Sequence, residues 1–279
     1  MFKPDILVTG ATGLIGRWLV PQLSSQGKNV AVLIRNAAKR SQEYKEWIGL
    51  QNGNPAIVEF FEFDLTVPDN SLLNLDISQV QDVYHLAARY QFGLNKHEVR
   101  KTNVLGSLSF LQWCNQIPNL SRFIFVTGYL AATHAKNIQR LDINEQQKAI
   151  ENQYRRTGAY EASKIEENIA LQKRAKSLNI PYTIINPSAI IGDSKTGQTT
   201  QFIGPSDLVA DLFFGKLPAL VGGPDIFVPL VSVDFVARFM AQITKFPQSA
   251  SQSYWLLDQT TPNLPQLVKS IANHMGVPF

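Results

Sequence analysis

The stretch Thr9-Gly10-Ala11-Thr12-Gly13-Leu14-Ile15-Gly16 constrains this chain more than any other. A short apolar run, Ile6-Leu7-Val8, precedes it, and an apolar stretch at 18–23 comes after it, so the order is strand, tight glycine turn, helix. Glycine lets backbone come close to a phosphate, and the free N–H groups of a helix N-terminus favour an anion. The spacing is G-x-x-G-x-x-G rather than the G-x-G-x-x-G of the commonest dinucleotide fingerprint. A glycine triplet also occurs in plain strand–helix turns, so the dinucleotide reading depends on the rest of the chain. In that reading Gly10, Thr12, Gly13, Leu14, Ile15 and Gly16 hold the pyrophosphate.

Beyond the turn, strand and helix signals alternate. Buried strands are expected at 29–35, 56–63, 82–86, 122–126 and 182–186, and helices at 37–50, 96–114 and 158–178. Residues 129–157 are polar and give no clear element. The alternation predicts an α/β fold, a Rossmann-type doubly wound parallel sheet covered on both faces. The pattern changes after Pro187, where Gly192, Gly197, Gly204, Gly215, Gly222 and Gly223 break up the chain. We therefore expect a dinucleotide-binding domain over 1–187 and a small C-terminal substrate lobe over 188–279. That lobe interleaves with the first domain through a helix at 232–244, a strand at 253–257 and a helix at 265–274, making a single structural unit. No closing element comes after residue 275, and we expect the parent protein to continue.

Composition narrows the partners. With 279 residues, 44% of them hydrophobic, the chain can bury a sizeable core. Its net charge is +4, but Lys and Arg are dispersed, which argues against nucleic acid. No apolar run is long enough for a membrane span, and the start lacks the features of a signal peptide. The lone cysteine, Cys114, permits no internal disulfide. The four histidines have no metal-ligand spacing. A soluble, cytoplasmic protein acting on a small molecule is expected, without a metal; a homodimer is compatible with the sequence.

The end of the second strand faces the adenosine ribose in a dinucleotide fold. An acidic residue there would bond the 2′-hydroxyl, but this chain has Arg35, whose guanidinium can hold a phosphate bidentately. Lys39, Arg40 and Arg17 are further candidates, so NADP(H) is preferred over NAD(H). The alternative for these residues is a solvated basic helix start. Asp64 is placed to bond the adenine amino group, or else caps the next turn. The small Ala87 and Ala88, after the fourth strand, would let the cofactor pass. His85 reads as a satisfied core histidine. Tyr160 and Lys164 lie at i and i+4 within a helical stretch and so share a face. A nearby ammonium favours phenolate, lowering the tyrosine pKa towards a range useful for exchanging a proton with a carbonyl oxygen. An ordinary helix-surface pair has the same spacing.

Taken together, TGATGLIG, Asp64-Leu65, HLAA at 85–88, Asn103-Val104-Leu105-Gly106, YEASK at 160–164, Pro187 and VSVDFVA at 231–237 resemble the extended short-chain dehydrogenase/reductase superfamily, across nearly the whole chain. Asp64-Leu65-Thr66-Val67-Pro68, residues 100–107 and the proline-led run at 185–197, with its GDS-x-TG, are similar to the thioester-reductase and fatty-acyl-reductase branch, the male sterility type. The resemblance implies that Tyr160 is the proton donor and that Lys164 binds the nicotinamide ribose. It places Leu65, Asn103 and Pro187 at the cofactor and implies a carbonyl, aldehyde or acyl-thioester substrate. Phe202, Phe213, Phe214 and Phe227 would line an acyl or aromatic pocket, or simply pack. One position departs from the pattern: Gly128 stands where the family has a hydroxyl residue, leaving Thr127 or Tyr129 as its replacement. Thr127 is taken as the third catalytic residue. A sugar-nucleotide epimerase or dehydratase with bound NAD, and a non-catalytic NADP-binding sensor or scaffold, are the alternatives.

Overall fold

Strands apolar at every position must be covered on both faces, because successive side chains point to opposite sides. The second strand is of this kind and the first is apolar up to Thr9, and both are fully buried from end to end. The computed structural model describes residues 2–67, 75–90, 93–202, 204–217, 219–220 and 223–278; Pro68 and Gly222 lie outside them. Its strands are β1 (Ile6–Thr9), β2 (Val30–Ile34), β3 (Val58–Glu62), β4 (Asp82–His85), β5 (Arg122–Val126), β6 (Tyr182–Pro187), β7 (Ala189–Ile191), β8 (Leu230–Ser232) and β9 (Gln252–Leu256). Seven form one sheet in the order β3-β2-β1-β4-β5-β6-β9, every neighbouring pair parallel. The chain runs outward from β1 to β3 and then returns to the other side of β1. The crevice beyond the carboxyl ends of β1 and β4 is therefore a topological switch point, where open α/β sheets bind ligands.

The helices are α1 (Leu14–Ser25), α2 (Ala37–Leu50), α3 (Lys96–Arg100), α4 (Ser107–Cys114), α5 (Tyr129–Ile138), α6 (Ile143–Arg156), α7 (Ala159–Ser177), α8 (Pro205–Phe213), α9 (Val233–Ile243) and α10 (Leu264–Met275). Val8, Val32 and Ile124 pack on one face of the sheet with Trp18, Leu19, Val236 and Met240. Leu7, Leu33 and Phe123 pack on the other with Phe110, Leu111 and Leu171. The helix expected over 96–114 carries a π-helical segment, Lys101–Gly106, between α3 and α4. A Cβ at Gly106 would stand 2.4 Å from Leu65 O, so only glycine lets this segment press against the loop after β3.

Residues 129–157, which gave no clear element in the sequence, form α5 and α6. The reason they hide is physical. Helix α6 has no fully buried residue, and the face it turns to α5 and α7, with Ala149, Ile150 and Tyr154, is only half-buried; its start is marked by Asp142, which accepts from Asn144 N and Glu145 N at 2.9 Å each. After Pro187 the chain divides. Strand β9 extends the main sheet and α9 packs against α1, whereas α8 and α10 share a small cluster around Leu212, Val268 and Ala272. The two late motifs meet: Asp234 of the VSVDFVA run accepts from Ser194 N and Oγ at 2.9 Å, and from Arg238 at 2.6 Å. Trp18 Nε1 reaches Asp193 at 3.2 Å, tying α1 to the same loop. Among the described residues, no helix is long and apolar enough to cross a membrane.

Candidate active site

The glycine turn is held by close backbone packing. Gly10 has φ +68°, and a Cβ there would lie 2.4 Å from Ala87 N; a Cβ at Gly16 would lie 2.5 Å from Ala11 Cα. The turn thus rests on the end of β4, with the start of α1 drawn in against it. No side chain caps α1, so its first N–H groups are open to an anion, and the residues present fit a pyrophosphate. Sequence reasoning missed the group that fastens this cradle. Tyr44 of α2, buried, donates its hydroxyl hydrogen in a bond shared between Ala11 O at 2.6 Å and Gly16 O at 3.0 Å. Burial holds its phenol protonated, well above the usual range. Its place on one stripe with Ala37 and Ile48 marked it as inward-facing, but not which carbonyls it would reach.

Arg17 is not free for a phosphate. It pairs with Glu43 at 2.8 Å and lies 5.5 Å from the ring centroids of Tyr44 and Trp47, joining α1 to α2. Arg35 stands exposed just past β2. Next to it, Asn36 N and Ala37 N already donate to the Glu62 carboxylate at 2.9 Å each. Lys39 and Arg40 lie exposed in the first turn of α2. Asp64 takes Thr66 N and Oγ at 2.8 Å each, which is the turn-capping role. Its carboxyl lies below the ordinary range: partial burial raises it, but Thr66, Arg35 and Lys101 together outweigh burial. Asn103, expected at the cofactor, is fully buried and used internally. It accepts from Arg89 N at 2.7 Å and donates to Ser163 Oγ at 2.9 Å and Arg89 O at 3.3 Å, fixing the loop after β4 to α7.

At the other end, Tyr160 and Lys164 lie in the first two turns of α7, which opens at Gly158 with φ +88°. The expected lowering of the Tyr160 pKa is not found. Burial, Glu161, Glu167 and Tyr90 all push it above the usual tyrosine value. Burial is the largest of these causes; Glu167 adds to it and also takes the Lys164 ammonium at 2.5 Å, both side chains being buried. Tyr90 packs edge-on to Tyr160 with ring centroids 4.6 Å apart.

Thr127 also differs from expectation. Its hydroxyl donates to Asn186 Oδ1 at 2.6 Å and accepts from Asn168 Nδ2 at 3.0 Å, so it is tied to β6 and α7 where it meets the cavity wall. Thr127 N pairs with Ile185 O, which continues the β5–β6 ladder and turns the side chain inward. At Gly128 the backbone is extended, with φ −171°, and a Cβ would meet nothing within 4 Å. Ser188 is a hydroxyl the sequence did not single out: it is 9% exposed, and its Oγ has no hydrogen-bond partner.

A cavity of about 760 Å³ brings these ends together. Gly10, Gly13, Leu14, Ile15, Gly16 and Ala88 line one side, and Thr127, Gly128, Tyr129, Tyr160, Lys164, Pro187 and Ser188 the other. Phe227 closes it towards the smaller cluster, while Phe202 and Phe213 line a neighbouring apolar pocket. Thr12, Arg35, Asp64, Leu65, Ala87 and Asn103 are not in its wall.

This sheet order, with a glycine turn at the switch point and a Tyr–Lys pair across the crevice, is that of the extended short-chain dehydrogenase/reductase superfamily, a class of NAD(P)-dependent oxidoreductases. Within it, residues 8–240 match the family model described as male sterility protein, and the chain belongs to that family. It is 28% identical to vestitone reductase of Medicago sativa over 50% of this chain and 43% of that protein. It is 27% identical to dihydroflavonol 4-reductase of Solanum lycopersicum over 67% of this chain and 50% of that one. The chain thus spans about half the length of the curated relatives it matches. The terminal R domain from the myxalamid PKS-NRPS biosynthetic pathway shares its fold, with a TM-score of 0.75 at 18% identity over 98% of this chain and 72% of that one.

Proposed function

We propose that the protein is an NADP(H)-dependent reductase of a carbonyl or acyl-thioester substrate, with Tyr160 as proton donor. The observation that carries this reading is the single cavity into which the glycine turn, Tyr160 and Lys164 all open. Gly10, Gly13 and the start of α1 would hold the pyrophosphate, and Arg35 the 2′-phosphate. Because Glu62 already satisfies the amides at 36 and 37, the 2′-phosphate would rest on the Arg35 side chain rather than on backbone. Bound there, the nicotinamide would supply the hydride for the carbonyl carbon. Tyr160, protonated by its surroundings, gives its hydroxyl hydrogen to the carbonyl oxygen as negative charge develops there. Lys164 would bond the nicotinamide ribose. The hydroxyl the superfamily places at 128 is missing, and Ser188 is the unpartnered hydroxyl in the same wall that we assign to steady the oxygen. Apolar side chains about Phe227 would take the body of the substrate, on the side of residues 188–279; the reductase assignment draws on the names of the relatives above, and the acyl-thioester option on the resemblance carried by the run at 185–197.

A second reading, a non-catalytic NADP(H)-binding sensor, is favoured by one observation, the absence of a hydroxyl at Gly128 together with the inward engagement of Thr127. Purified protein mixed with NADPH and a panel of aldehydes and acyl-thioesters separates the two. The reductase reading expects NADPH oxidation with at least one substrate class; tight NADPH binding without oxidation across the panel selects the sensor.

A further inference from the structure

Glu167 lies one turn beyond Lys164 on α7 and is 1% exposed. Its Oε2 meets the Lys164 ammonium, and its Oε1 accepts from Ser107 Oγ at 3.1 Å. Ser107 has one hydroxyl hydrogen, so its oxygen accepts from His85 Nε2 at 2.8 Å. The imidazole therefore carries its proton on Nε2 and accepts at Nδ1 from Thr9 Oγ1 at 2.8 Å, and Thr9 Oγ1 accepts from Ala87 N at 3.3 Å. The donors run in one direction, from the backbone on which Gly10 packs to the carboxylate under the cavity. Burial, with Lys164 adding to it, pushes the His85 pKa down to about 3, so the imidazole is neutral. The ion pair of the chain is Lys164 and Glu167; burial raises the Glu167 carboxyl above its ordinary value, against the pull of Lys164 and Ser107 in the other direction.

A carboxylate buried this completely is costly unless a partner is close, and here the partner is the same ammonium that would otherwise draw Tyr160 towards phenolate. We propose that Glu167 is a positioning residue: it holds Lys164 at the cavity wall and offsets its charge, so that Tyr160 stays a proton donor over a wider pH range. This rests on the reading of Tyr160 as the donor. The other groups about Tyr160 act in the same direction. Glu161 and Tyr90 both disfavour the phenolate; Glu161 in turn feels Lys164 and His134, and Tyr90 feels Glu161 and Asp207. Glu166 is turned away, to Arg100 and Tyr154 at 2.8 Å each. Removing the Glu167 charge leaves the Lys164 ammonium uncompensated, which favours phenolate. Carbonyl reduction needs the phenol, so its basic limb should move to lower pH; alcohol oxidation needs the phenolate and should gain there.

The direct test is the tyrosinate ultraviolet titration of Tyr160, taken as the difference between each protein and its Tyr160→Phe counterpart. In Glu167→Gln, Tyr160 should ionise at least about one pH unit lower than in the native chain, a tenfold change in the phenolate-to-phenol ratio at fixed pH. Glu167→Asp keeps the charge one methylene further back and should shift the titration in the same direction by less. The basic limb of the reduction profile should move with it in both variants. A Glu167→Gln titration that superimposes on the native one overturns the proposal. Should that variant not fold, Glu167→Asp decides: a displaced titration supports the proposal, and an unmoved one overturns it. The titration needs no turnover. A native protein that reduces none of the carbonyls therefore defeats the proposed function while leaving this result to stand or fall by itself.

Discussion

Position at one end of the cavity, beyond β1, β2 and β4, is set by backbone: Gly10 and Gly16 lie where any side chain would collide, and Tyr44 fastens the turn through two carbonyls. At the other end, beyond β5 and β6, side chains from distant parts of the sequence set position. Lys164, Glu167, Ser107 and His85 form one buried polar chain, and Asn168, Thr127, Asn186 and Ser253 another. The first kind of construction tolerates no added atom. The second can be retuned by one side chain, and Gly128 and Glu167 are the positions where the proposals above place such tuning.

The comparison can be broken most severely at Gly10. Gly10→Ala combines a left-handed backbone with a steric collision and should cost on the order of 3 kcal/mol. A thermal melt and NADPH binding measured together should both fall sharply; unchanged values would mean that the turn is not rigid. Arg35→Ala should weaken NADPH by about thirtyfold while NADH changes little, since a charged hydrogen bond is worth roughly 1.5–3 kcal/mol. Equal weakening of both would remove the case for NADP(H). Tyr44→Phe strips the fastening from Ala11 O and Gly16 O and should lower stability by about 1.5 kcal/mol in a denaturant melt. The kcat should persist, because Tyr44 is not in the cavity wall; a large loss of kcat at constant stability would show that the two ends are coupled. Gly128→Ser needs no backbone change and finds open space, so it should fold normally and raise kcat by roughly tenfold, as a restored oxyanion donor would. No gain would mean that Ser188 alone already supplies the donor.

The same division explains what could be read from the sequence. The sheet was legible because buried strands such as VAVLI are apolar throughout, and the turn because glycine spacing is a local signal. The sites of Tyr160 and Lys164 in one helix were legible from a four-residue spacing. Helix α6 was not, because its packed face is only half-buried among polar residues, and neither was the fate of Thr127, which depends on Asn168 and Asn186 reaching it from two other elements. The expected effect of Lys164 on Tyr160 failed for a related reason. Residue spacing brings a lysine near a tyrosine, but it does not reveal that the tyrosine is buried or that a carboxylate three residues later takes the ammonium. The internal bonds of Asn103 were not legible either, because a buried amide looks the same in sequence whether it bonds a ligand or the loop at Arg89.

The central claim, that the cavity carries out hydride reduction with Tyr160 as donor, is tested most directly by NADPH absorbance with aldehyde and acyl-thioester substrates, comparing native protein with Tyr160→Phe. The account predicts that native protein oxidises NADPH with at least one substrate. Tyr160→Phe should bind NADPH with nearly the same affinity but turn over at least about a hundredfold more slowly. Turnover that survives in Tyr160→Phe, or native protein that binds NADPH and never oxidises it, would contradict the account.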